Sequence, residues 1–353
     1  GRPSIQSNIL VRSSGPYVVN QVRGTIGALT TATTGQISLF QEIAVAPAPV
    51  TLAGSPGFTG TSATSSSQRV YAISQGNTTS AAGLAAHWGD CATPFAVAVT
   101  GEADGIETST DSVSSRIPLG VCPVFGVTSL DGLRTFVMNR GSGTVSVINT
   151  QTNTLDTALN ASGTITLPLP SGSTATNVGP VYAAFFAQSQ LLVTVNYDSN
   201  SVSFINAPLD VYGNDATGFG TVLATVPVGA QPSAITILGD GSRAYVVNQG
   251  DGTVSVISMT SFTVEKTIPV GNHPRAISST YNNPTGKVYV IAPDSNILTI
   301  IRTDTDIVSA LLTLQGLGVD VHATTQYSAA TGTTSNTPAN TIVTSDSPGS
   351  GAP

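Results

Sequence analysis

The chain has 353 residues, of which only 9% are charged, and 12 Lys and Arg stand against 19 Asp and Glu for a net charge of −7. So few scattered cations cannot build the basic stripe that neutralises phosphates, which excludes DNA and RNA as partners. A hydrophobic share of 40% is too high for a disordered chain, and the longest apolar runs are strand-sized, so no membrane span is expected.

The sequence opens at Gly1 without a Met or a hydrophobic leader, which reads as an exported chain whose signal segment has been removed. An extracellular or cell-surface location is expected. Residues 1–16 form an extension in which Ile5, Ile9 and Val11 have strand-forming composition. A first unit, 17–48, enters at Tyr17-Val18-Val19-Asn20 and has no convincing first strand. A second, 49–120, runs from Pro49 through Arg69–Ser74 to Gly120 and contains a long insertion at 76–94.

From there the pattern is regular. Units 121–178, 179–230, 231–272 and 273–316 each open near a proline (Pro123, Pro180, Pro232, Pro274) and carry four short runs rich in Val, Ile, Thr and Tyr. Between the runs lie Gly- and Asp-rich turns such as Gly239-Asp240-Gly241, so each unit predicts four antiparallel strands. Pro274 restarts the pattern about 42 residues after Pro232, a spacing close to that of propeller blades. Val319–His322, within 317–324, reads as a first strand without successors, placed to close the ring beside the N-terminal unit. The tail 325–353 is rich in Ser, Thr, Gly and Pro, and within it Ile342 and Val343 are strand-like.

The expected fold is all-β: a β-propeller of six four-stranded antiparallel blades, closed by the N- and C-terminal strands. The count becomes seven if residues 324–345 and Ile5–Val11 make a divergent unit. Units of the form YVVN (Tyr245–Asn248), GTVSVI (Gly252–Ile257), TIPVG (Thr267–Gly271) resemble the YVTN-type propeller repeats of bacterial secreted and surface-layer-like proteins. The resemblance covers about 17–324. It implies a propeller in an extracellular setting and leaves the activity open, because this fold carries many functions.

The Asn that ends the second strand of a unit (Asn20, Asn139, Asn196, Asn248) is expected to bond backbone groups in the following turn. Cys91, in the second unit's insertion, and Cys122, in the next connection, fall on one face of the blades and are expected to form a disulfide. His87, Asp90 and His273 share that face as weak metal-ligand candidates whose spacing matches no ligand motif. Asp210, Asn214 and Asp215 lie on a glycine-containing loop without the alternation of a calcium loop. Two triplets, Asn77-Thr78-Thr79 and Asn160-Ala161-Ser162, would mark surface loops if they carry glycans.

No nucleophile–base pair or convergent carboxylate pair stands out, so no catalytic residue and no cofactor is expected. The function expected is a non-catalytic extracellular scaffold that associates with itself, as a filament, layer or matrix component, through Ile5, Ile9, Val11, Ile342 and Val343. The alternatives are a secreted module binding a glycan, peptide or metal at one mouth of the ring, and a propeller hydrolase or lactonase.

Overall fold

A computed structural model describes residues 9–12, 15–21, 23–31, 36–54, 69–76, 99–129, 131–280, 286–328 and 333–346. Apart from a single 3-10 turn, the regular structure in these residues is strand. No helix among them is long and apolar enough to cross a membrane.

The strands form six consecutive antiparallel meanders. The first sheet holds β1 (Ile9–Arg12), β2 (Gly15–Asn20), β3 (Thr25–Thr31) and β4 (Ile37–Ala44). The second holds β5 (Pro49–Gly54), β6 (Arg69–Ser74), β7 (Thr100–Glu107) and β8 (Ser112–Val121). In the third, β9 (Pro123–Thr128), β10 (Arg134–Asn139) and β11 (Thr144–Asn149) are followed by a divided outer position. There β12 (Thr154–Leu155) and β13 (Thr164–Thr166) both pair with β11. The fourth contains β14 (Pro180–Phe186), β15 (Leu191–Asn196), β16 (Ser201–Asn206) and β17 (Val222–Pro227). The fifth is β18 (Pro232–Ile237), β19 (Arg243–Asn248), β20 (Thr253–Ser258) and β21 (Val264–Pro269). The sixth is β22 (Ala276–Ser279), β23 (Lys287–Ala292), β24 (Ile297–Arg302) and β25 (Ile307–Thr313). A hairpin of β26 (Leu317–Ser328) and β27 (Thr333–Asp346) follows.

The chain divides into two compact units, one of Gly1–Leu169, Ala175–Thr194 and Ile205–Leu223, the other of Pro170–Thr174, Val195–Phe204 and Ala224–Pro353. In the first, Ile26 and Ile43 pack on Leu52 and Ile106 between sheets one and two, and Ile73 and Ile117 pack on Val137 and Ile148 between sheets two and three. In the second, Val247 and Val256 pack on Ile277 and Val290 between sheets five and six. Because side chains alternate along a strand, a strand with sheets on both sides buries every residue. β10 does so over its whole length, whereas the outermost β21 buries only Ile268.

The recurring Asn acts differently from expectation at three of its four positions. Nδ2 of Asn139 donates to Thr144 Oγ1 at 3.2 Å and Ser146 Oγ at 2.9 Å. Asn196 does the same to Ser201 (3.1 Å) and Ser203 (2.9 Å), and Asn248 to Thr253 (3.0 Å) and Ser255 (2.9 Å). All three are fully buried, and the hydroxyls across the ladder give the amide nitrogen acceptors inside the sheet. At Asn20 the expectation holds, since the Arg23 N–H donates to its Oδ1 at 3.2 Å.

A second repeated device ties one sheet to the next at three boundaries: one to two, two to three and five to six. The hairpin after the third strand ends in Thr-x-Thr-Asp/Asn at 108–111, 150–153 and 303–306, and its last residue is left-handed, with φ of 51° at Asp111, 58° at Asn153 and 50° at Asp306. This turn offers its side chain to a tyrosine of the preceding sheet. Tyr17 O–H donates to Asp111, Tyr71 O–H to Asn153 Oδ1 at 3.1 Å, and Tyr245 O–H to Asp306. Two arginines two residues before their tyrosine reinforce the latch. Arg69 donates to Thr150 O at 2.8 Å and Arg243 to Thr303 O at 2.7 Å, while Arg243 also pairs with Asp306.

The chain ends depart from the expected closure. β2 has its own neighbours, β1 and β3, so Ile9–Arg12 supplies the first strand that the sequence did not reveal. Val319–His322 lies in β26 and pairs with β27 rather than with the N-terminal unit, and Val321 packs on Ala276, Tyr289 and Ile291 of the sixth sheet. Local pairing wins because a partner a few residues away costs far less loop-closure entropy than one at the other end of the chain. Cys122 is buried with a φ of 53°. Its expected partner Cys91 lies outside the described residues, as do Ile5, His87 and Asp90.

Candidate functional site

Glu102 and Asp104 occupy alternate positions of β7, which puts both carboxyl groups on one face of the strand. Across the ladder, Arg116 of β8 is the direct partner of Asp104. Its Nη1 stands 3.0 Å from Glu102 Oε1 and 3.6 Å from Asp104 Oδ1. From the other side, the N–H of Ala46 in the connection between β4 and β5 donates to Asp104 Oδ2 at 2.6 Å. The Asp104 side chain is wholly buried, while those of Glu102 and Arg116 are 32% and 57% exposed.

Burial pushes the Asp104 carboxyl up from 3.8 to about 6; the charge of Glu102 adds to the rise, and the Ala46 N–H and Arg116 oppose it. Asp104 Oδ1 has no hydrogen-bond partner among the described residues, which further disfavours its ionised form. The result is a buried carboxyl group that holds its proton more tightly than usual, next to the partly exposed Glu102 and an exposed guanidinium. Such a group can move a proton near neutral pH and stabilise a developing negative charge.

A second charged cluster has a different character. Arg134, at the start of β10, is the largest fully buried side chain among the described residues. It pairs with Asp156 and, at 2.8 Å, with Asp215, and also donates to the carbonyls of Leu133 (3.0 Å) and Gly213 (3.2 Å). Burial raises the Asp215 carboxyl in spite of Arg134. With the guanidinium buried and bonded on several sides, the cluster is an anchor. It fastens the loop between β16 and β17, in which Asp210 accepts the N–H groups of Tyr212 (2.8 Å) and Asn214 (2.9 Å). The oxygens of Asp210 and Asp215 thus serve different partners and do not converge.

The other sequence candidates separate as well. His273 Nδ1 lies 2.7 Å from Asp294 Oδ2 on the surface, both side chains being more than half exposed. Among the described residues no group of three or more His, Cys, Asp or Glu is arranged to hold a metal ion. Ile9 and Val11 stand opposite Val18 and Pro16 within the first sheet, and Ile342 and Val343 opposite His322 and Val321 in the final hairpin. These strands, expected to reach a neighbouring molecule, are paired inside their own chain.

Sequence reasoning singled out none of Glu102, Asp104 and Arg116. The usable signal was the alternation Glu102-Ala103-Asp104, since two acids at period two on one strand must share a face.

No protein-family description matches the sequence, and no curated protein does. Solved structures do match. Hydrazine synthase from Kuenenia stuttgartiensis is similar at 13% identity over 96% of this chain and 95% of that one, with a TM-score of 0.58. A putative 6-phosphogluconolactonase from Bacteroides fragilis matches at 14% identity over 89% and 85%, TM-score 0.59. Virginiamycin B lyase from Staphylococcus aureus matches at 11% over 89% and 87%, TM-score 0.56. At such identities the likeness establishes the fold alone, a β-propeller-like all-β fold. It is a fold that named enzymes carry over nearly their whole length, and together with the internally paired end strands this overturns the expected non-catalytic, self-associating scaffold.

Proposed function

We propose that the protein is an enzyme of propeller-like fold that hydrolyses an uncharged ester or lactone at Glu102, Asp104 and Arg116. The observation that carries the reading is the pair of carboxyl groups on one strand face, one buried and one reaching solvent, with an arginine across the ladder. Glu102 takes a proton from water, and the resulting hydroxide adds to the carbonyl carbon. Arg116 donates hydrogen bonds to the oxyanion, and the proton passes from Glu102 to the departing alkoxide. Asp104, buried and out of reach of any substrate, positions Arg116 across the ladder.

An uncharged substrate is favoured over a phosphorylated one. The whole chain has two lysines, and the one arginine of the site already faces two carboxyl groups, so no free cation awaits a phosphate. The repeat pattern supports membership of the YVTN-type propellers and an extracellular location. The test is a panel of neutral lactones and aryl esters assayed against the purified protein. Turnover should be abolished in Glu102→Gln and Arg116→Met, and strongly reduced in Asp104→Asn. Absence of turnover across the panel, or full activity in Glu102→Gln, would sink the proposal.

A further inference from the structure

The divided outer position of the third sheet bears a chemical feature that the hydrolytic reading does not use. Between β12 and β13 the chain makes two successive turns, closed by Leu159 N–H to Asp156 O (3.3 Å) and Gly163 N–H to Asn160 O (3.0 Å). The triplet Asn160-Ala161-Ser162 occupies the first three positions of the second turn, and all three residues are exposed. Gly163 closes it at a φ of 58°, where an added Cβ would come within 2.8 Å of Leu155 Cβ. The turn is therefore fixed in place by its own glycine.

Within it the side chains are ordered. Asn160 Oδ1 accepts the Ser162 hydroxyl at 2.8 Å and the Ser162 N–H at 3.1 Å. Asn160 Nδ2 donates one hydrogen to Thr164 O at 2.7 Å, and a carboxamide nitrogen has two. The hydroxyl required at the third position of the triplet is thus oriented onto the amide oxygen, and the second amide hydrogen points to no protein acceptor.

We infer that Asn160 is a site of N-linked glycosylation. The donor is a lipid-diphosphate-linked oligosaccharide. The bond from the first sugar's anomeric carbon to the phosphate oxygen breaks, that carbon joins Asn160 Nδ2, the lipid diphosphate leaves with the electron pair, and the displaced amide proton passes to solvent. The modified nitrogen keeps one hydrogen, enough for its bond to Thr164 O. A glycan here covers an outer sheet position that is divided into two short strands, and shields that edge from pairing with another molecule.

The test expresses the chain behind a secretion signal in cells that perform N-glycosylation and reads the intact mass of the secreted fraction before and after peptide-N-glycosidase. The expected result is a mass excess removed by the enzyme with conversion of Asn160 to Asp. It should be absent in Asn160→Gln and Ser162→Ala and retained in Ser162→Thr, which keeps a hydroxyl. A secreted chain without the excess, or an excess untouched by Asn160→Gln and therefore carried at Asn77, overturns the assignment. The outcome is independent of hydrolytic activity, so either reading can fail alone.

Discussion

Replacing Tyr245 by Phe removes one oxygen from a fully buried ring and leaves the packing volume in place, so no cavity contribution enters. What is lost is a hydrogen bond from a neutral hydroxyl to the carboxylate of Asp306, which stays paired with Arg243. A bond to a charged acceptor is worth about 1.5–3 kcal/mol net, against ~0.5–1.5 kcal/mol for a neutral pair. Tyr17→Phe removes the same kind of bond, to Asp111, whereas Tyr71→Phe removes one to the neutral amide of Asn153. The three substitutions should therefore rank, with Tyr245 and Tyr17 costing about 2 kcal/mol each and Tyr71 about 1 kcal/mol. Urea unfolding followed by far-UV circular dichroism measures this as midpoint shifts at constant slope. In an Asp306→Ala background the cost of Tyr245→Phe should vanish, which isolates the pair. A cost for Tyr71→Phe as large as that for Tyr245→Phe, or a Tyr245→Phe cost surviving in the Asp306→Ala background, would refute the latch.

Three further outcomes are expected. Arg134→Met should destabilise the protein by about 3–5 kcal/mol, because it strands Asp156 and Asp215 without a cation; a loss below ~1 kcal/mol in the same urea assay would contradict the anchoring role. The Asp104 carboxyl is raised to about 6 in the folded chain, so the folded state keeps a proton that the unfolded chain releases above about pH 4. Its contribution to stability is complete below about pH 4 and is lost as the pH climbs to about 6, by up to about 3 kcal/mol. Asp104→Asn should flatten that slope, and parallel wild-type and variant curves would refute the assignment. Finally, the disulfide proposed between Cys91 and Cys122 closes a loop of about 30 residues, worth roughly 3–4 kcal/mol; thiol labelling of the unfolded, unreduced chain should find no free thiol, and labelling of both cysteines would exclude the bond.

The meanders were legible in the sequence because a strand buried on both faces writes itself as a short run of Val, Ile and Tyr between Gly and Asp turns. β1 was not. Four residues, Ile9-Leu10-Val11-Arg12, carry too little alternation to be told from an extension, and the far C-terminal run offered a competing partner. The hydroxyl partners of the buried asparagines were encoded at fixed offsets: Ser/Thr at five residues and Ser at seven after Asn139, Asn196 and Asn248. They were missed because Asn beside a turn suggests turn bonding. Arg116 was out of reach for a different reason. It stands opposite Asp104 only in a ladder whose register slips twice, between Thr100 and Glu102 and between Gly105 and Ile106, and such slips leave no mark on composition.

The left-handed turns have a consequence for how the repeats are ordered. Tyr245 is received by Asp306 of the following sheet, yet the equivalent turn of its own sheet carries Phe262, also left-handed at a φ of 53°. Phe262 in turn lies against Phe204, ring centroids 4.6 Å apart, and Phe136 of the third sheet faces Phe219 rather than a polar acceptor. The receiving turn thus differs along the chain, polar where it meets Tyr17, Tyr71 or Tyr245 and aromatic where it meets Phe204, and the fifth repeat is not complementary to itself. A tandem copy of residues 231–272 would set the Tyr245 hydroxyl against an aromatic ring, with no acceptor for it. The repeats look interchangeable in sequence, but the residue in the receiving turn sorts their boundaries into two kinds, one that takes a tyrosine hydroxyl and one that takes an aromatic ring.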